Sequence, residues 1–229
     1  LYAHAGQTEV QTAALAVDGL CIVVQHEEGV GFRIDHADNA ASAWMKWIET
    51  RHELVVLDIN LPDISGLDLA TKILRRQADT RVMFFSMHDE LGLVNRAMKL
   101  GASAYVSKSA EPEEFARAIQ AISEGKHYIE HRLATNLICS RDSKNNTALD
   151  MLSGRESEIF LMIAKGYSSR QVGELLNLSA KTVANNLSII KQKLNVDTTA
   201  AMAHLAVSLQ LIEVYQPTGQ PVQPSKLAS

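Results

Sequence analysis

Three side chains of different chemistry stand where short apolar runs end. Asp58 closes Leu54-Val55-Val56-Leu57 and is followed by Ile59-Asn60-Leu61-Pro62-Asp63-Ile64-Ser65-Gly66; Ser86 closes Val82-Met83-Phe84-Phe85; Lys108 follows Tyr105-Val106-Ser107. Uninterrupted β-branched and aromatic runs predict strands buried on both faces of a parallel sheet, and ligands of such sheets sit beyond the carboxyl ends of the strands. A carboxylate, a hydroxyl and an ammonium would therefore converge at one sheet edge. A carboxylate in that place can ligate a metal, act as a general base, or take a phosphoryl group as an acyl phosphate. The last needs cationic and hydrogen-bonding support for the transferring oxygens. Singly, each residue has a plainer role, as a turn former, a helix cap or a solvated lysine. Their placement on successive strand ends argues against coincidence.

A second group of residues could read nucleic acid. Segments 168–176 and 179–194 predict two helices joined by Asn177-Leu178, the spacing of a helix-turn-helix whose second helix enters the major groove. Val183, Leu187, Ile190 and Leu194 recur at helical spacing as its buried stripe. The opposite face carries Lys181, Thr182, Ala184, Asn185, Ser188 and Lys191, and with Lys193 it mixes phosphate-binding cations with small polar base readers. On charge alone this would be a solvated lysine face on a small bundle.

The elements that must position these groups follow a pattern. Segments 32–37, 54–58, 82–86 and 104–107 predict strands, and 40–50, 67–77, 90–100 and 112–124 the helices after them. This alternation argues βα units wound into a parallel sheet. Segment 14–27 fits a helix in that repeat, although Leu20–Val24 alone would suggest a strand. Segment 130–150 is polar and weakly periodic and predicts a linker. Beyond it the pattern is helical over 153–165, 168–176, 179–194 and 198–211. Ser153 with Glu156 and Ser168 with Gln171 fit capping boxes, and Ser179 and Asp197 fit N-caps. The Pro- and Gly-containing tail predicts disorder.

The chain has 229 residues, which suits two small domains, and a net charge of −4. Residues 1–130 hold 12 Lys and Arg against 19 Asp and Glu, while residues 131–229 hold 10 against 7. The second part, at +3, is the one compatible with DNA. Cys21 and Cys139 form no CxxC pair, and neither a spanning segment nor a secretion signal is visible, so a cytoplasmic place is expected.

Leu57 to Gly66, Phe85-Ser86-Met87-His88 and Gly101 to Lys108 resemble the receiver domain of two-component response regulators. Leu152-Ser153-Gly154-Arg155-Glu156, Ala164-Lys165-Gly166-Tyr167-Ser168, Leu178 to Leu187 and Lys193-Leu194-Asn195-Val196 look like the LuxR-type domain. Together the chain resembles the NarL/FixJ class. The resemblance implies an α/β, flavodoxin-like receiver over 1–130, a linker over 131–149, a four-helix LuxR-type helix-turn-helix domain over 150–214 and a tail over 215–229. It implies Asp58 as phosphoacceptor, Ser86, Tyr105 and Lys108 as switch residues, and Asp58 with the Asn60 carbonyl on Mg²⁺. It further implies double-stranded DNA, a homodimer and a sensor histidine kinase as partners, and no enzymatic turnover. Two departures stand out. Gln11 and Thr12 fall where receivers carry an acidic pair, and Ala184 and Asn186 where LuxR-type domains often carry a basic residue and a histidine. Three readings follow: a regulator switched by phosphorylation of Asp58; an atypical receiver working without metal-dependent phosphorylation, constitutively or through a small molecule or partner protein; or an enzyme using Asp58 and Lys108.

Overall fold

The computed structural model describes residues 21–27, 31–139, 147–209 and 211–212. The N-terminal part is a sheet of order β2-β1-β3-β4-β5-β6, made of β1 (Cys21–Glu27), β2 (Gly31–Ala37), β3 (Leu54–Leu57), β4 (Arg81–Ser86), β5 (Ala104–Ser107) and β6 (Tyr128–Ile129). Helices α1 (Ala40–Thr50), α2 (Gly66–Arg76), α3 (Leu91–Lys99) and α4 (Pro112–Ser123) follow β2, β3, β4 and β5. Strands β3 to β6 run parallel, with Leu57 opposite Phe84, Phe84 opposite Tyr105 and Ser86 opposite Ser107.

The sheet departs from expectation at one edge. Residues 21–27, expected as the end of a helix, form a strand antiparallel to both β2 and β3, with Cys21 opposite Ala37 and Leu57. The reason is local: Ile22, Val23 and Val24 are three β-branched residues in succession, and pairing on the open edge of β3 satisfies their backbone groups. The earlier part of the expected helix, and Gln11 and Thr12, lie outside the described residues.

Alternation along the strands divides the core. Val55, Leu57, Val82, Phe84 and Tyr105 join the buried faces of α1, α2 and α3, whereas Leu54, Val56, Met83, Phe85 and Val106 pack with Phe115, Ala118, Ile119 and Ile122 of α4. The turn after β3 is tied down twice. The Asp63 carboxylate accepts the Ala40 and Ala41 N–H groups at 2.8 and 2.9 Å, serving the start of α1. Gly66 passes so close to the chain that a Cβ there would stand 2.0 Å from the Asp58 carbonyl oxygen.

The segment expected as a linker is largely helical among the described residues, with α5 (His131–Cys139) and α6 (Thr147–Asp150). Leu133 and Leu149 are buried there, too few apolar anchors to produce a strong period in the sequence. Then come α7 (Gly154–Ala164), α8 (Ser169–Leu175), α9 (Ala180–Leu194) and α10 (Thr199–Ser208), within a residue or three of expectation. Both capping boxes form and Ser179 caps α9; α10 is capped by Thr198, whose hydroxyl accepts the Ala201 N–H, rather than by Asp197. Asn177 makes the α8–α9 turn at φ 53°, a left-handed conformation that asparagine tolerates. Glu156 to Ala164 are all buried, because α9 and α10 cover one side of α7 and the N-terminal part covers the other. No helix among the described residues is long and apolar enough to cross a membrane. The expected tail over 215–229 lies outside the described residues.

Candidate functional site

The three strand ends bring their side chains together. Asp58 follows β3, Ser86 ends β4 and Lys108 follows β5, with the Lys108 N–H donating to the Ser86 carbonyl at 2.9 Å to fix the turn. The Ser86 hydroxyl donates to Asp58 Oδ1 at 2.6 Å and the Asn60 N–H reaches the same oxygen at 3.1 Å. Lys108 Nζ donates to Oδ2 at 2.8 Å, and the two side chains are only 10% and 7% exposed. A carboxylate so shielded, held between a cation and a hydroxyl, is arranged for charge that shifts between carboxylate and an added group. Tyr105 lies fully buried on Phe84 and donates its hydroxyl to the His88 carbonyl at 2.6 Å. Burial lifts that hydroxyl well above its ordinary range, and the Glu90 and Asp58 charges add to the effect, so Tyr105 is a neutral donor.

The described donors do not fit a Mg²⁺ site. Mg²⁺ demands octahedral oxygen ligands and usually one or two carboxylates. Among the described residues no three His, Cys, Asp or Glu side chains are placed to hold a metal ion together, and both Asp58 oxygens already hold Lys108, Ser86 and Asn60.

On α9, Lys181, Thr182, Ala184, Asn185 and Ser188 are exposed and Lys191 is half-buried, while Val183, Leu187 and Ile190 are buried as the stripe requires. Lys193 departs from its expected place on the DNA-facing side. Its ammonium turns back onto Glu156 of α7, at 2.6 and 2.9 Å, because that carboxylate lies within reach of the last turn of α9.

Sequence reasoning missed the surface that joins these two regions. The Arg96 guanidinium of α3 donates to the Leu149 and Ser153 carbonyls at 2.8 and 3.3 Å, and also to the Leu152 carbonyl and the Ser157 hydroxyl. Asp68 of α2 accepts the Gly154 and Arg155 N–H groups at 2.8 and 3.3 Å, receiving the start of α7 as an anion should. The Asn60 side-chain amide donates to the Leu175 carbonyl at 3.3 Å, and Arg155 reaches the Leu61 carbonyl. Lys165 pairs with Glu90. Burial works to raise the Glu90 carboxyl, but hydrogen bonds and charge from His88 and Lys165 overcome it and hold it at about 2. Burial likewise opposes a proton on His88, and Glu90, Glu158 and Asp58 reverse that, raising it. Side chains reach in close against two glycines: a Cβ on Gly92 would stand 2.6 Å from the Leu211 side chain and 2.7 Å from that of Leu149, and one on Gly154 2.7 Å from the Ser65 hydroxyl. A glycine in the first turn of each of two helices was the one signal available.

Comparison with known proteins identifies two matches along the chain. The response regulator receiver domain matches residues 14–120, and the luxR family of bacterial regulatory proteins matches residues 150–206. The chain is 38% identical over 187 residues to the transcriptional activator protein ExaE of Pseudomonas putida, covering 80% of this chain and 87% of that one. It is 35% identical over 166 residues to the response regulator UvrY of Escherichia coli, covering 71% and 76%. A solved structure of RcsB from Salmonella enterica serovar Typhimurium, bound to a promoter with a phosphomimetic, aligns at a TM-score of 0.48 and 19% identity, covering 77% of this chain and 83% of that one.

Proposed function

The chain belongs to the NarL/FixJ-type response regulators and is thereby a DNA-binding transcription regulator of the LuxR class, and we propose that its activity is set by phosphorylation of Asp58. The observation that carries this reading is the single shielded carboxylate with Ser86 on one oxygen and Lys108 on the other. An Asp58 oxygen attacks the phosphorus of a phosphodonor such as a sensor kinase's phosphohistidine. The new O–P bond forms as the bond to the donor nitrogen breaks, and the donor keeps that electron pair. Lys108 then pairs with phosphoryl oxygen and Ser86 donates to another, both groups already lying within 2.8 Å of the carboxylate. Mg²⁺, where receivers bind it, neutralises the incoming phosphoryl charge; the donors described here supply one carboxylate toward it, so no step is routed through it.

The site and the interdomain surface share residues. Asn60 and Leu61, two and three positions beyond Asp58, hold Leu175 and Arg155. Ser86 accepts the His88 N–H at 3.4 Å, and His88 leads to Glu90 and its partner Lys165. Movement of Ser86 and Tyr105 toward an acyl phosphate would disturb these contacts and loosen the receiver, over 1–130, from the DNA-binding domain, over 150–214, with 131–149 between them. The freed domains then pair as a homodimer on double-stranded DNA, which raises affinity without new contacts. Lys181 and Lys191 bind phosphates there, and Thr182, Asn185 and Ser188 face the bases. No turnover of a separate substrate is part of this reading.

Intact mass after incubation with a small phosphodonor, with and without Mg²⁺, tests it. One phosphoryl adduct per chain, absent in Asp58→Ala, is expected. No adduct in a protein that still binds DNA as a dimer would overturn the phosphorylation step and leave a receiver that signals without it.

A further inference from the structure

A cleft of about 860 Å³ opens between α1, α2 and α3 of the receiver and residues Asp150 and Leu152, within the size range of small-molecule sites. Its receiver wall carries Lys72, Arg75 and Arg76, spaced i, i+3 and i+4 and so presented on one face of α2. All three are exposed, and among the described residues none has a carboxylate partner. The acids nearby are already engaged: Asp68 holds the Gly154 and Arg155 N–H groups, and Asp150 pairs with Lys99 at 3.2 Å. Cations in a last helical turn complement the helix dipole, which accounts for the placing of Arg75 and Arg76 but leaves their donors unfilled. Lys72 lies 3.9 Å over the Trp44 ring, a contact that orients its charge without neutralising it. The opposite wall is Asp150, held by Lys99, and Leu152, at the start of the second domain.

We propose that this cleft binds a small anion bearing two or more phosphates. Two guanidiniums side by side match phosphate oxygens through paired N–H donors, and Lys72 supplies a third positive charge. A phosphate chain, inorganic or carried by a nucleoside, satisfies the same groups.

Inorganic triphosphate, titrated into the full chain at constant ionic strength, is the probe. Trp44 and Trp47 are the two tryptophans, so fluorescence reports on the Lys72 contact, and calorimetry gives an independent reading. Expected is a saturable change weakened at least tenfold by Arg75→Gln with Arg76→Gln, which are exposed and leave the fold intact by circular dichroism. A nucleoside triphosphate binding much more tightly than triphosphate would identify a base-bearing ligand within the same class. No saturable response, an equal response to sulfate, or unchanged affinity in the arginine pair would overturn the site. None of these readouts involves an Asp58 adduct.

Discussion

The Asp58 site and the outer face of α9 are polar in opposite ways. At Asp58 the groups are buried or half-buried and already bonded to one another: Ser86 and Asn60 on one oxygen, Lys108 on the other. On α9, Lys181, Thr182, Asn185 and Ser188 stand in solvent, bonded at most to their own helix or its cap. The first arrangement is organised before any partner arrives, as stabilising charge in a transfer step requires. The second is left open, as a surface that must meet a polyanion requires. Between them lies a third kind of contact, in which Arg96, Asp68, Glu90 and Lys165 bond across the domains instead of within one.

The sharpest break of the comparison is Asp58→Ala, which should remove the phosphoryl adduct entirely in mass spectra while leaving the chain able to bind DNA. Arg96→Ala should rank next, since it leaves the carbonyls of Leu149, Leu152 and Ser153 without that donor. A drop of about 2–3 kcal/mol in urea unfolding is expected, and no drop would mean that water replaces the guanidinium. Lys181→Ala with Lys191→Ala should weaken binding to all DNA sequences about tenfold or more and flatten the slope of log affinity against log salt by ~0.9 for each phosphate no longer neutralised. An unchanged slope would exclude both lysines from phosphate binding.

A smaller effect should appear with pH. Glu90, held near 2 against its ordinary 4.5, adds stability that is present above about 4.5 and lost as pH falls toward 2. His88, raised above 6.5, adds stability present below 6.5 and lost as pH rises through its folded value. The cluster should therefore be firmest between about 4.5 and 6.5, and Glu90→Gln should flatten the fall of the urea midpoint below 4.5 and lessen the fall above 6.5. The smallest effect belongs to Lys193→Ala: it breaks a partly exposed pair with Glu156, costs under ~1 kcal/mol, and should leave the salt slope of DNA binding untouched.

Much of this was legible from residue order. Apolar runs that end in Asp58, Ser86 and Lys108 fixed strands and site together, because a parallel strand presents its terminal residue at the sheet edge whatever lies around it. The helix starts at Ser153, Ser168 and Ser179 were equally plain, since a cap and its partner lie three residues apart. Residues 21–27 misled because the βα repeat argued for a helix while Ile22, Val23 and Val24 favoured a strand, and an open sheet edge decided in favour of the strand. Segment 130–150 concealed its helices because few of their side chains enter the core.

By itself, then, the sequence determined which groups meet at the carboxylate site and, Lys193 apart, which side chains of α9 stand on its outer face, since local periods and capping act over a few residues. Only the tertiary structure decided that Lys193 faces Glu156, that Arg96 and Asp68 hold the second domain, and that three cations of α2 face a cleft closed by Leu152. Such contacts join residues tens of positions apart, and no local spacing encodes a distance that only docking of two folded surfaces sets.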